Sequence, residues 1–67
     1  MDKINLKIVK LLSQGMNQKE ISEHFKKEGI TPNSLSIIEK RLKKIREVYK
    51  AKTLFHLALI LREESII

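Results

Sequence analysis

Apolar residues recur with helical spacing in four successive stretches of this chain. The clearest stripe lies in the middle and consists of Ile38, Leu42, Ile45 and Tyr49. Their spacing of four, three and four residues is that of one face of an α-helix. No stretch shows the period-two alternation or the hairpin turn signal that strands require. The pattern therefore predicts an all-α chain of four helices.

Two shorter helices are predicted before this stripe. The first begins after Asp2 and ends at Gly15, which can adopt the left-handed conformation that closes a helix. The second runs from Asn17 to Gly29, and Asn17 has the capping-box spacing with Glu20. The residues expected to face the core in these helices are Ile4, Ile8, Leu11, Leu12, Ile21 and Phe25.

The third helix should follow a turn at Pro32, because proline disfavours helix in the residue before it. Ser34 and Ser36 are both candidate N-caps. Ser36 is preferred, since Glu39 three residues later would complete a capping box. The helix is expected to run to about Lys50.

The fourth helix is predicted after Thr53, over roughly residues 54–64, and it is apolar almost all round. A helix on the outside of a small core needs only one apolar stripe. The surplus favours pairing with a second copy. Two stripes are open as the pairing face: Leu54, Leu57, Ala58 and Leu61, or Phe55, Leu59 and Arg62.

Composition adds a strong basic bias to this helical pattern. With 67 residues, the chain has room for one domain, residues 1–67, with a small core. The net charge is +6, and residues 39–52 hold seven of the 14 basic residues but only two acids. Such clustering favours nucleic acid or another anionic surface as the partner.

Several other classes of protein are disfavoured. There is no cysteine, which excludes disulfides and thiolate metal sites. The longest apolar run, residues 57–61, is far shorter than the about 20 residues that cross a bilayer, and the N-terminus lacks signal-peptide features. His24 and His56 stand apart from any ligand pattern, and no catalytic triad, carboxylate pair or phosphate loop is present. We expect a cytoplasmic protein that is not an enzyme and has no catalytic residue, metal or cofactor.

Three segments carry a resemblance to a known family. Residues 8–22, Ile-Val-Lys-Leu-Leu-Ser-Gln-Gly-Met-Asn-Gln-Lys-Glu-Ile-Ser, are similar to the opening of LuxR/GerE-type helix-turn-helix domains. Ser34-Leu35-Ser36-Ile37-Ile38 is similar to the start of that family's third helix, and residues 57–61 resemble its last helix. The turn at residues 26–33 is longer than in the family pattern, and in this the chain resembles response-regulator output domains of Bacteroidetes-like bacteria.

The resemblance implies a DNA-binding output domain of a transcription regulator. Its third helix would be the recognition helix in the major groove of double-stranded DNA, and its fourth would form a homodimer. A receiver or sensor domain usually accompanies such an output domain. The chain is therefore expected to be either a fragment of a larger regulator or a free-standing one.

The family match also implies which residues would contact DNA. Base contacts fall on Glu39, Lys40 and Lys43. Phosphate contacts fall on Gln18, Lys19, Ser34, Ser36, Arg41 and Lys44. The dimer interface would use Leu54, Phe55, Leu57, Ala58 and Leu61. Lysine can donate to guanine O6 and N7, and Glu39 can accept from cytosine N4. For Glu39 we favour a simpler role, as capping partner of Ser36 and helical partner of Lys43.

Three other functions compete with DNA binding. The main alternative is a helical protein-interaction module that docks through the apolar fourth helix and has no nucleic-acid role. The clustering of basic residues in one segment favours DNA instead. A membrane-surface helix is disfavoured by the narrow apolar stripe of the third helix and the lack of Trp. RNA binding is disfavoured because the chain has only three aromatic residues and no stacking platform.

Overall fold

The computed structural model describes all 67 residues and contains four α-helices and no strand. The helices are α1 (Lys3–Ser13), α2 (Gln18–Lys27), α3 (Leu35–Val48) and α4 (Leu54–Glu63). This confirms the predicted all-α, four-helix fold, and the arrangement is compatible with a helix-turn-helix domain. None of the four helices is long and apolar enough to cross a membrane.

Side-chain caps fix the starts of all four helices. Asp2, Asn17 and Thr53 are N-caps, as predicted. The capping box of α2 is complete: the Asn17 side chain accepts the Glu20 N–H at 2.8 Å, and the Glu20 carboxylate accepts the Asn17 N–H at 2.9 Å. Each such cap contributes about 1 kcal/mol.

The predicted N-cap of α3 was wrong. Ser34 caps the helix, and its hydroxyl oxygen accepts the Ile37 N–H at 3.3 Å. Ser36 lies inside the first turn, so Ile37 occupies the position three residues after the cap. Glu39 is two residues too late to complete a capping box, and none forms there.

Residues with positive φ follow all four helices, and the one after α4 is Ser65, with φ of +59°. Gly15 has φ of +97° after α1, and Gly29 has φ of +69° after α2, as expected of residues that close helices. Lys50, with φ of +56°, plays the same part after α3, so α3 ends two residues earlier than predicted.

A core of nine buried apolar residues unites the four helices. Its members are Ile8, Val9, Ile21, Phe25, Ile38, Leu42, Ile45, Leu57 and Leu61. Val9 is fully buried although it was not predicted to face the core, whereas Ile4, Leu11 and Leu12 are only half-buried. Leu57 and Leu61 are fully buried within the single chain. Their assignment to a dimer interface is therefore corrected, because both are already covered by their own fold.

The helices α1 and α3 form the centre of the packing. Each of them contacts the other three helices, whereas α2 and α4 do not pack on one another. Because neighbours surround its apolar stripe, α3 is held along its length and only its outer side is free.

Candidate nucleic-acid interface

The buried stripe of α3 determines which of its side chains reach solvent. Ile38 and Leu42 are fully buried. Lys40 lies between them in sequence, two residues from each, and is therefore about 160° from both around the helix axis. Lys40 is exposed, so it lies on the side of α3 opposite the core, which we call the ridge of α3.

The three predicted base-contacting residues are all exposed on α3, but they do not lie in one line. Glu39 and Lys43 line a groove of about 260 Å³ together with Gln18, Arg46 and Leu54. This groove joins one flank of α3 to the first residues of α2 and α4. Lys40 is not among the groove residues and lies on the ridge beside it.

The predicted phosphate contacts are divided between the two flanks of α3. Gln18 lies in the groove beside Glu39 and Lys43, and exposed Lys19 follows it at the start of α2. Lys44 lies on the other flank, beside Val48 and the N-terminal part of α1.

The two serines at the start of α3 differ in their availability. The Ser34 hydroxyl is used as the helix cap, whereas Ser36 is exposed and its hydroxyl lies 3.4 Å from that of Ser34. A phosphate near this end would meet the free N–H groups and partial positive charge of a helix N-terminus.

Arg41 is the one predicted phosphate contact whose charged group already has protein partners. Its guanidinium donates to the Asn5 side-chain oxygen at 2.9 Å and to the Asp2 carboxylate at 3.3 Å. The Asp2 contact is the only ion pair in the structure. Arg41 therefore ties α3 to the start of α1, and a phosphate would have to compete with Asp2 for it.

Two residues of this region were missed. Arg46 lines the groove with Glu39 and Lys43, and its place three residues after Lys43 could have indicated this. Ser22 is only 2% exposed, and its hydroxyl donates to the Asn33 carbonyl at 2.6 Å. This bond holds the residue before the α3 cap against α2. The available signal was a polar residue on the inner face of α2, three residues before Phe25.

The histidines occupy separate structural environments. The His56 ring accepts the Lys52 N–H at Nδ1, at 3.0 Å, while its own backbone N–H donates to Thr53 Oγ1 at 3.0 Å. His56 therefore helps to close the first turn of α4. His24 is half-buried beside Lys7 and Lys10. No group of three or more potential metal ligands comes together.

An apolar groove lies on the α4 side of the molecule. Its volume is about 520 Å³, and it runs between the end of α1 and the outer side of α4. Phe55 is 75% exposed and Leu59 46% exposed along its rim, and Leu54 and Ala58 lie half-buried in it. Of the two stripes left open by the sequence, the one containing Phe55, Leu59 and Arg62 thus faces outward.

No protein-family model, curated protein or solved structure matches the chain.

Proposed function

We propose that this protein binds double-stranded DNA sequence-specifically as a bacterial transcription regulator, with α3 as its recognition helix. The observation that carries the proposal is the placement of charge on α3. Its apolar stripe is covered by three other helices, while Lys40, Lys43 and Lys44 are exposed on the side left free. A rigidly held helix with a cationic outer side suits the major groove, which admits one α-helix.

The positions of the lysine side chains support the same proposal. Lys40 and Lys43 lie on the outer part of α3, where they can donate to guanine O6 and N7. Lys19 and Lys44 flank the helix on opposite sides, where they can contact the two phosphate backbones. Contacts to phosphates position a protein on DNA without selecting a sequence.

The proposal extends to a homodimer and to an input domain. The outer stripe of α4 supplies an apolar surface for a second copy, and two copies would place two α3 helices on successive turns of DNA. A receiver or sensor domain, joined to this one or acting on it, would control binding. The setting is the cytoplasm, where bacterial DNA is accessible.

One observation favours the alternative of a protein-interaction module. Phe55 and Leu59 border an open apolar groove, and a partner helix could occupy it without any DNA. In that case the lysines of α3 would serve only solubility.

A salt titration of duplex binding separates the two functions. With a fluorescent duplex and anisotropy detection, affinity should fall steeply with salt, with a slope in log K against log salt of about −0.9 for each neutralised phosphate. Lys19→Ala should weaken binding to all sequences alike and make this slope shallower by about one unit. Lys40→Ala and Lys43→Ala should instead relax the preference among sequences.

Lys10→Ala is the matched control, because Lys10 is an exposed lysine of α1 that lies beside His24 and away from the groove of α3. It should leave affinity nearly unchanged. A flat salt dependence, or an equal loss of affinity in Lys10→Ala and Lys40→Ala, would contradict the DNA-binding function.

A further inference from the structure

Glu39 is an exposed carboxylate with no partner in its own chain. Because Ser34 rather than Ser36 caps α3, Glu39 cannot close a capping box. It makes no ion pair with Lys43, since the only ion pair joins Arg41 to Asp2, and it takes part in none of the side-chain hydrogen bonds. The simpler role that the sequence favoured for Glu39 was therefore wrong in both parts: Glu39 is neither the capping partner of Ser36 nor the ion-pair partner of Lys43.

The unpaired carboxylate of Glu39 lies among residues that would attract a phosphate. It lines the groove that also holds Gln18, Lys43 and Arg46, on the most basic segment of the chain. A negative charge there is repelled by any phosphate that the neighbouring cations attract. Such a charge lowers affinity for nucleic acid in general, unless a base offers it a hydrogen-bond donor.

Only one base offers such a donor without an acceptor on the same base. In the major groove, guanine presents two acceptors, thymine an acceptor and a methyl group, and adenine the N6 donor beside the N7 acceptor. Cytosine presents the N4 amino group alone. A carboxylate is an acceptor only, so guanine and thymine offer it no donor, and adenine offers one only beside the N7 acceptor, which repels it.

We infer that Glu39 is a specificity-determining residue that selects a cytosine by accepting a hydrogen bond from its N4 amino group. The inference rests on the proposed function and names the base that one of its side chains selects. Glu39 lowers affinity for most sequences and restores it where cytosine lies opposite. The gain is thus in discrimination between sites rather than in affinity.

Replacement of the carboxylate by an amide provides the sharpest test. Wild type, Glu39→Gln and Glu39→Ala would each be used to enrich duplexes from a library with a randomised central segment, followed by sequencing. Wild type should select a C·G pair at one position of each half-site. Glu39→Gln should select A·T there, because glutamine can pair with adenine N6 and N7. Glu39→Ala should lose about tenfold preference at that position and gain no new one.

Glu47→Gln is the matched control. Glu47 is an exposed glutamate two turns further along α3 that also lacks an ion pair, so its replacement removes the same charge from the same helix. It should raise affinity for all duplexes without changing the selected sequence. Far-UV circular dichroism of each variant shows whether it has folded, and Glu39→Ala gives a second readout should one fail.

The possible outcomes separate this inference from the proposed function. If wild type selects a sequence and Glu39→Gln selects the same one, the inference is overturned while DNA binding stands. If Glu39→Gln and Glu47→Gln change the selected sequence alike, the effect is one of charge, and the inference is again overturned. If wild type enriches nothing, the function and the inference fall together.

Discussion

The contact between Arg41 and Asp2 shows how a single pair of residues links the folded state to the candidate interface. The Asn5 N–H, donated to the Asp2 carboxylate at 2.7 Å, and the nearby Arg41 guanidinium lower the pKa of Asp2 below its ordinary value. A carboxylate with a lowered pKa stabilises the folded state while it is charged. That contribution is complete above the ordinary pKa of aspartate and is lost as the pH falls through the lowered value.

Asp2→Asn isolates the charge in this contact, because asparagine is an equally good N-cap. The variant should unfold more easily than wild type at neutral pH, and the difference should shrink to nothing in acid. Urea unfolding of both proteins across the acid range measures it. Glu23→Gln is the control, since it removes an exposed carboxylate without an ion pair. A destabilisation of Asp2→Asn that persists unchanged in acid would rule out the ionic origin.

Among single residues, the N-caps of α1, α2 and α4 could be predicted from the sequence, whereas the N-cap of α3 could not. Asn17 and Glu20 satisfy one another within three residues, so their pattern is sufficient. Ser34 and Ser36 are both adequate caps, and a contact from elsewhere decides between them. The Ser22 hydroxyl holds the Asn33 carbonyl across 11 residues, and the Asn33 side chain donates to the Ile30 carbonyl at 3.1 Å. These bonds fix the position of Asn33, the residue before Ser34. They join residues that a short sequence pattern such as a capping box does not include.

Among the elements, α4 is the one whose orientation the sequence left open. It is apolar on nearly every side, so periodicity alone cannot tell its inner stripe from its outer one. Packing against α1 and α3 settles the choice: Leu57 and Leu61 turn inward, while Phe55 and Leu59 turn outward. A single core of this size has no further helix with which to cover the outer stripe.

In the proposed homodimer, Phe55→Glu should weaken the pairing of the two chains without unfolding either chain. Phe55 is largely exposed in the single chain, so the substitution costs little stability, whereas two buried carboxylates at a twofold interface are strongly unfavourable. Sedimentation of the complex should show two wild-type chains on a duplex with two half-sites. For Phe55→Glu, affinity for that duplex should fall by at least about tenfold, because the two half-sites are no longer engaged together.

Val48→Glu is a suitable control for this experiment, since Val48 is an apolar residue of α3 that is 66% exposed. Because Val48 lies beside Lys44, the two variants are compared without DNA: sedimentation should show weakened self-association for Phe55→Glu and wild-type self-association for Val48→Glu. Two Phe55→Glu chains bound to the duplex as tightly as wild type would show that α4 does not form the interface.

In the molecule as a whole, the other three helices pack against one side of α3 and leave its outer side exposed. α2 and α4 each pack on α1 and α3 but not on one another, so α3 is buttressed by three helices and remains open on its outer side. The molecule measures 30 × 20 × 19 Å. Two such bodies side by side extend over more than the 34–36 Å that separates successive major-groove sites on one face of DNA, so a pair is large enough to reach both sites.

The sequence predicted the composition of the candidate interface better than its geometry. Clustering of basic residues on one helix is a local property, and it correctly placed Lys40, Lys43 and Lys44 on an exposed surface. The groove that brings Gln18 and Arg46 beside Glu39 depends on how three helices meet. The capture of Arg41 by Asp2 joins residues 39 positions apart. Contacts at that distance follow from the packing and leave no periodic trace in the sequence.

Selection of duplexes by the wild-type protein tests the central claim most directly. Repeated enrichment from a randomised library, followed by sequencing, should recover an inverted repeat whose half-site centres lie about 10 base pairs apart, one helical turn. Such a result would demonstrate sequence-specific binding and twofold symmetry together. A recovered pool as random in sequence as the starting library would contradict the claim that α3 recognises DNA.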